Sequence, residues 1–245
     1  MNLDDLIKFD DVSLSFYDKK RELLVLNDIS FSLTNEKIHA LIGPSGCGKS
    51  TILNLIAGII KPSKGKVLCP KSIGYMFQRD NLLEWLTILD NVLIGLKIKG
   101  LKTKENVNYA KSLLEKYGLK DFIKSYPCEL SGGMRQRVAL IRALVLKPDV
   151  LLLDEPFSAL DSGTRVKVSS DIYEIIKDFK ITTILVTHDI SEAISLADEI
   201  IVLSHRPAKI KEIVTISFND LIPIKRRETL VFKDYFKKVF TLVNE

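Results

Sequence analysis

Apolar and polar residues alternate roughly every second position over residues 6–16 and again over residues 24–33, with the charged stretch Asp18-Lys19-Lys20-Arg21-Glu22 between them. That period predicts two antiparallel strands joined at the charged turn. Asn35 stands ahead of Glu36 where the chain must turn back, and asparagine tolerates the left-handed backbone such a turn needs. The next run, Ile38 to Ile42, is apolar without alternation, as in a strand buried on both faces. Residues 52–60 then switch to the 3.6-residue period of a helix, residues 61–65 (Lys-Pro-Ser-Lys-Gly) read as a turn, and residues 66–68 and 73–77 as short strands.

From residue 86 to residue 147 the pattern is helical. An amphipathic helix is expected over 104–116, stopped by Gly118, and another over 134–146, ended at Lys147-Pro148. Strand character returns at 150–153, 181–186 and 199–203, with a helix over 165–179. Strands alternating with helices imply an α/β fold around a parallel sheet, in which ligands sit beyond the carboxyl ends of the strands.

Composition narrows the class. At 245 residues with 46% hydrophobic and 27% charged residues, the chain can bury a real core. The net charge of +5 is spread out, with one dense cluster at Lys225-Arg226-Arg227, which argues against a nucleic-acid partner. Cys47, Cys69 and Cys128 have neither disulfide-framework nor zinc spacing and suit a reducing compartment. The start, Met1-Asn2-Leu3-Asp4-Asp5, is acidic where a secretory signal is basic, and no apolar stretch nears the ~18 residues of a membrane span. Any work at a membrane is therefore expected to need a partner that supplies the span.

Between the apolar run ending at Ile42 and the following helix lies Gly43-Pro44-Ser45-Gly46-Cys47-Gly48-Lys49-Ser50-Thr51. The glycines let successive backbone N–H groups turn inward around a polyphosphate at a helix N-terminus. Lys49 adds charge near the terminal phosphates, and the Ser50 hydroxyl can ligate magnesium. Further on, Val150-Leu151-Leu152-Leu153 runs into Asp154-Glu155-Pro156. Two acids at a strand end suit a cation site, with Asp154 holding magnesium through water and Glu155 orienting or deprotonating the attacking water. Leu130-Ser131-Gly132-Gly133-Met134-Arg135-Gln136-Arg137 is a second small-residue loop opening a helix, where Ser131 reads either as a helix cap or as part of an anion site.

Together the loop at 43–51, the Leu-Ser-Gly-Gly element and Leu-Leu-Leu-Asp-Glu-Pro-Phe-Ser-Ala-Leu-Asp resemble the ATP-binding cassette ATPases over residues 6–215. The resemblance implies a phosphate-loop NTPase (RecA-like) parallel sheet core, an N-terminal antiparallel β subdomain and a helical subdomain insert. It divides a single domain, 1–245, into a core of about 1–85 and 148–215, a helical part of 86–147 and a tail of 216–245, with no appended regulatory domain. The implied cofactors are ATP and Mg2+. The implied partner is a second copy in a head-to-tail homodimer, in which Ser131, Gly132 and Gly133 serve the other copy's nucleotide. Phe16 looks like the aromatic that stacks on adenine, with Tyr17 the next candidate. Gln78 resembles the glutamine that reaches magnesium and water, His188 the histidine that contacts the terminal phosphate and holds Glu155, and 158–161 the loop that couples the two sites.

Residues 82–92 and 203–210 are similar to one importer branch, which handles nitrate, alkanesulfonates, taurine and some pyrimidine or thiamine precursors. This implies an integral membrane permease, indirectly a solute-binding protein, and a place on the cytoplasmic side of the cell membrane. An exporter subunit has the same catalytic residues; chromosome, repair and ribosomal cassettes need long heptads or a second cassette, and this chain has neither. Two positions depart from the branch. Glu84 stands where it usually has proline, predicting a looser and more charged loop, and Ile141 replaces a small residue in the helix after Ser131.

Overall fold

The computed structural model describes residues 5–18, 21–218 and 221–245; Lys19 and Lys20 of the expected turn, and Met1 to Asp4 of the acidic start, lie outside the described residues. In chain order the elements are β1 (Asp5–Asp18), β2 (Arg21–Thr34), β3 (Ile38–Ile42), α1 (Lys49–Ile56), β4 (Lys64–Leu68) and β5 (Ile73–Met76). There follow α2 (Ile88–Ile98), α3 (Lys104–Lys116), α4 (Gly132–Leu144), β6 (Val150–Asp154), α5 (Ser162–Phe179) and β7 (Thr182–Val186). The last are α6 (Ile190–Leu196), β8 (Glu199–Leu203), β9 (Ile210–Thr215), α7 (Pro223–Arg226) and α8 (Leu230–Asn244). The chain forms two compact units, Met1–Lys71 with Lys180–Glu245, and Ser72–Phe179.

In the first unit β1 pairs antiparallel with both β2 and β4. Ile29, Phe31 and Leu33 point inward while Asp28, Ser30 and Ser32 face out, and Phe9 stacks on its cross-strand partner Phe31 with ring centroids 4.5 Å apart. Residues 64 and 65 belong to β4 rather than to the expected turn. Gly65 has φ +79°, and a Cβ there would lie 2.3 Å from the Asp11 carbonyl oxygen, so the close pairing of β4 with the bulged β1 requires glycine. At the turn into β3 the left-handed residue is Glu36 (φ 58°), not Asn35, because the Thr182 hydroxyl accepts the Glu36 amide hydrogen at 2.8 Å and holds it there.

The unit's second sheet places β3 between β7 and β8, both parallel to it, and every residue of β3 and β7 is buried. β9 closes the β8 edge antiparallel, an element the sequence pattern missed. Only Val214 of β9 is buried; Glu212 is half-exposed and ion-paired with Lys238, while Ile213 is exposed, so the period of two is not written in apolar residues. The tail also holds structure. α8 starts at a Thr229 cap and buries Phe232 and Val239, while Arg226, 5% exposed, donates to the carbonyls of Leu221, Ser195 and Ala197, the last two at the C-terminal end of α6.

His39, within β3, is fully buried, with Nε2 3.0 Å from the Thr34 carbonyl oxygen and Nδ1 3.2 Å from Glu199. Burial lowers its pKa below the ordinary 6.5 despite the Thr34 carbonyl and the Glu199 charge. The unfolded chain therefore takes up a proton more readily than the folded one. Stability contributed by neutral His39 is present above pH 6.5 and is lost as the pH falls below that value toward the lowered folded pKa. Thermal melts from pH 8 to pH 5 should show Tm dropping by a few degrees on the acid side, with a flatter profile in His39→Gln. An unchanged acid slope in that variant would assign the loss elsewhere.

In the second unit β5 and β6 run parallel, with Ile73 opposite Val150 and Met76 opposite Leu153. α2, α3 and α4 pack around Ile88, Val92, Leu96, Leu113, Leu114, Val138 and Ile141. Ile141 is fully buried here, so the larger side chain fills the inter-helix space. Gly118, with φ +73°, follows the end of α3 as expected. α4 and α5 begin earlier than the sequence pattern indicates, because Ser131 and Asp161 cap them and bring the weakly apolar first turns into the helices. Among the described residues no helix is long and apolar enough to cross a membrane.

Candidate functional site

In the first unit the phosphate loop joins β3 to α1. That helix runs from Lys49 to Ile56 rather than over 52–60, since Ala57 caps it and Gly58 turns left-handed at φ +69°. Its N-terminus has no side-chain cap and no acidic residue in the first turn, so its N–H groups and positive dipole end suit an anion. Gly48 has φ +121°, and a Cβ there would stand 2.9 Å from Leu26 Cδ2, so β2 packs directly against the loop. At Gly43 a Cβ would meet the Leu203 carbonyl oxygen at 2.9 Å. Lys49, only 7% exposed, donates to the carbonyls of Gly43 (2.8 Å) and Pro44 (3.0 Å), which places its ammonium over the loop.

Around these lie the remaining loop residues. The Cys47 amide donates to Pro44, and burial pushes the Cys47 thiol pKa up against the pull of Lys49, leaving it a packing group rather than a nucleophile. Ser45 and Gly46 are exposed, as is Ser50 in the first turn of α1, and Thr51 is half-buried.

His188 is exposed at the carboxyl end of β7, the strand that pairs with β3 through Leu41 and Val186. It therefore leaves the sheet beside the strand that feeds the phosphate loop. Its neighbours are locked. The Thr187 hydroxyl donates to Glu192 at 2.6 Å, and Asp189 caps α6 by accepting from the amides of Ser191 and Glu192. Phe16, 45% exposed, sits further along the same β1–β2 arm that packs on Gly48, opposite Leu23; Tyr17 is 74% exposed and donates to Glu22.

In the second unit Asp154 ends β6 and Glu155 follows with φ 45°, a conformation costly for a residue other than glycine. The Ser158 amide and hydroxyl both donate to the Glu155 carbonyl, at 3.2 and 3.0 Å, and hold that turn. Gln78, just past β5, donates from Nε2 to Glu155 Oε2 at 3.3 Å, so two residues 77 positions apart meet at the ends of adjacent parallel strands. Sequence reasoning missed Tyr75. Its hydroxyl donates to Asp154 at 3.4 Å, its ring stacks on Phe77, and burial together with the Asp154 charge pushes its pKa up, so it stays a neutral donor to that carboxylate. The period of two puts Tyr75 and Phe77 on one side of the chain, but only the β5–β6 register brings Tyr75 to Asp154.

The Ser131 loop caps the helix that it opens. Ser131 Oγ accepts the Met134 amide hydrogen at 3.4 Å and caps α4, while Ser131 and Gly132 remain exposed. Gly133 is buried, and a Cβ there would lie 2.6 Å from Val168 on α5, so glycine at 133 is demanded by helix packing. Asp161 Oδ1 accepts from the Thr164 amide at the start of α5.

An uncapped helix entered through a glycine-rich loop from a buried parallel strand, with a lysine over the loop, defines a phosphate-loop nucleotide-binding protein. The family model described as ABC transporter matches residues 26–158. The chain is 40% identical to the aliphatic sulfonates import ATP-binding protein SsuB of Bacillus cereus, over 95% of this chain and 94% of that protein. To the taurine import ATP-binding protein TauB of Pseudomonas aeruginosa it is 39% identical, over 84% of this chain and 82% of that one. A dimeric, post-hydrolysis structure of the ATP-binding cassette MJ0796 with ADP and phosphate superposes with a TM-score of 0.73 at 29% identity, covering 86% of this chain and 99% of that one. The chain belongs to the ABC transporter family, as an ATP-binding cassette ATPase.

Proposed function

We propose that this chain energises a small-solute importer of the sulfonate and taurine type, working as a head-to-tail pair of copies bound to a separate integral membrane permease on the cytoplasmic side of the cell membrane. The importer reading is supported by the near full-length similarity to SsuB and TauB, and the paired copies by the dimeric cassette that shares the fold. A solute-binding protein delivers the solute to the permease.

The observation that carries the catalytic reading is the Gln78–Glu155 hydrogen bond at the ends of β5 and β6. Lys49 and the backbone N–H groups of the loop 43–51, to which Pro44 adds none, hold the phosphates, and Phe16 or its neighbour Tyr17 packs on the base. Ser50, Asp154 and Gln78 offer hard oxygen donors of the kind Mg2+ takes beside phosphates. Magnesium, when bound, neutralises phosphate charge. Glu155 accepts the proton of the attacking water, Gln78 orients the Glu155 carboxylate, and His188 donates to the terminal phosphate. Ser131, Gly132 and Gly133 complete the partner copy's site, and closing that contact moves the permease.

Co-purification with the permease and solute-binding protein, reconstitution in proteoliposomes and a screen of sulfonates, taurine and nitrate test this. One compound class should raise the ATPase rate severalfold and accumulate in the lumen. An intact complex whose ATPase ignores every compound, or that moves solute outward, would overturn the importer assignment while leaving ATP hydrolysis standing.

A further inference from the structure

Glu84 is ion-paired: Arg135 Nη2 donates to Glu84 Oε1 at 2.7 Å. The same guanidinium donates from Nε to Asp80 Oδ2 at 2.9 Å and from Nη2 to Asp80 Oδ1 at 3.1 Å. Arg135 stands in the first turn of α4, directly after Ser131-Gly132-Gly133-Met134, and its own amide donates to the Ser131 carbonyl at 3.0 Å. Lower on the same helix Arg142 donates to the carbonyls of Asp80 (2.5 Å) and Asn81 (2.7 Å). Buried Asn91 grips the loop from α2, donating to the carbonyls of Leu83, Leu86 and Thr87 and accepting from the Leu83 amide. The segment so held presents Trp85, 73% exposed, at its tip.

Burial works against the Asp80 charge, yet the hydrogen bonds from Arg135 and the Leu82 amide outweigh it and hold its pKa below the usual carboxylate range. The Asp80 contact is thus a firm anchor, while Glu84, with its side chain 52% exposed, is the solvent-facing and salt-sensitive member. Leu86 donates its amide hydrogen to the Leu83 carbonyl at 3.0 Å, which makes Glu84 the second residue of a turn, a position at which proline is favoured for its fixed φ. Glu84 and proline therefore answer the same need in different ways, one by charge and one by covalent restraint.

We propose that Arg135 is a positioning residue whose ionic bracket with Glu84 and Asp80 couples the Trp85 loop to the first turn of the Ser131 helix, and that Glu84 makes this coupling dependent on ionic strength. The transport side of the inference rests on the importer reading above; the coupling itself does not.

Hydrogen exchange on the full chain tests the coupling first. In Glu84→Gln, exchange at the amides of Leu82, Leu83 and Leu86 and at those of Met134 and Arg135 should quicken together, by about two- to fivefold. About 0.5 M salt should do the same to the wild type and add little to the variant. Loop amides that quicken while Met134 and Arg135 stay unchanged, or no change at either place, would overturn the bracket. Arg135→Lys, which keeps charge but not the fork, should fail to rescue.

In the reconstituted complex, the ratio of solute-stimulated to basal ATPase should fall with salt in the wild type, be low and salt-insensitive in Glu84→Gln, and be high and salt-insensitive in Glu84→Pro. A merely structural role predicts equal loss for both substitutions, and the proline rescue separates the two. A wild-type complex without solute stimulation would refute the importer reading and leave the exchange result to decide the bracket.

Discussion

Replacing Glu155 with glutamine is expected to lower the ATPase rate about a hundred- to ten-thousandfold while leaving ATP binding intact. The amide keeps the size of the side chain and still offers an oxygen to Gln78 Nε2, so the contact at 3.3 Å survives and only the proton acceptor is lost. The backbone of residue 155 is held at φ 45° through Ser158, so the substitution does not release the turn. ATP and magnesium should then drive the variant into a stable dimer, because the step that reopens it is blocked. Single-turnover hydrolysis and light scattering measure both outcomes. A Glu155→Gln protein hydrolysing within about tenfold of the wild type would remove Glu155 from the role of base.

Lys49→Ala is expected to weaken nucleotide binding about ten- to a hundredfold, the range of a lost charge-assisted hydrogen bond in a largely buried setting. Lys49 is 7% exposed and bonded to the carbonyls of Gly43 and Pro44, so alanine removes both the charge meant for the phosphates and the strut that shapes the loop. Titration with a fluorescent nucleotide, alongside circular dichroism to confirm that the chain stays folded, checks it. Full ATPase activity in a folded Lys49→Ala protein would mean that the nucleotide binds elsewhere.

The loop between β3 and α1 was legible because its geometry is local. A glycine-rich loop between a strand and a helix places its own amides, whatever else the chain does. The buried strands β3, β6 and β7 were legible for a similar reason, since a strand covered on both faces must be apolar throughout. Where the signal depends on a distant neighbour it fades. Glu36 rather than Asn35 takes the left-handed turn because Thr182 binds its amide, and β9 escaped because it buries only Val214, exposes Ile213 and pairs Glu212 with the distant Lys238. Burial of Phe232 and Val239 on α8 was likewise invisible without the rest of the fold.

Glu84 shows the difference most directly. Read along the chain, a proline replaced by a charged residue means a loosened loop; in the fold that charge meets Arg135, 51 residues away, and the loop is held.

Sequence alone determined that this protein has a phosphate loop, a parallel sheet and an acidic strand end, because each depends on residues within a few positions of one another. Only the tertiary structure decided that Gln78 meets Glu155, that Tyr75 serves Asp154, that Gly133 is needed beneath Val168 and that Arg135 joins the Trp85 loop to α4. Such pairings arise from strand register and helix packing, which are set by the whole core and leave no local trace.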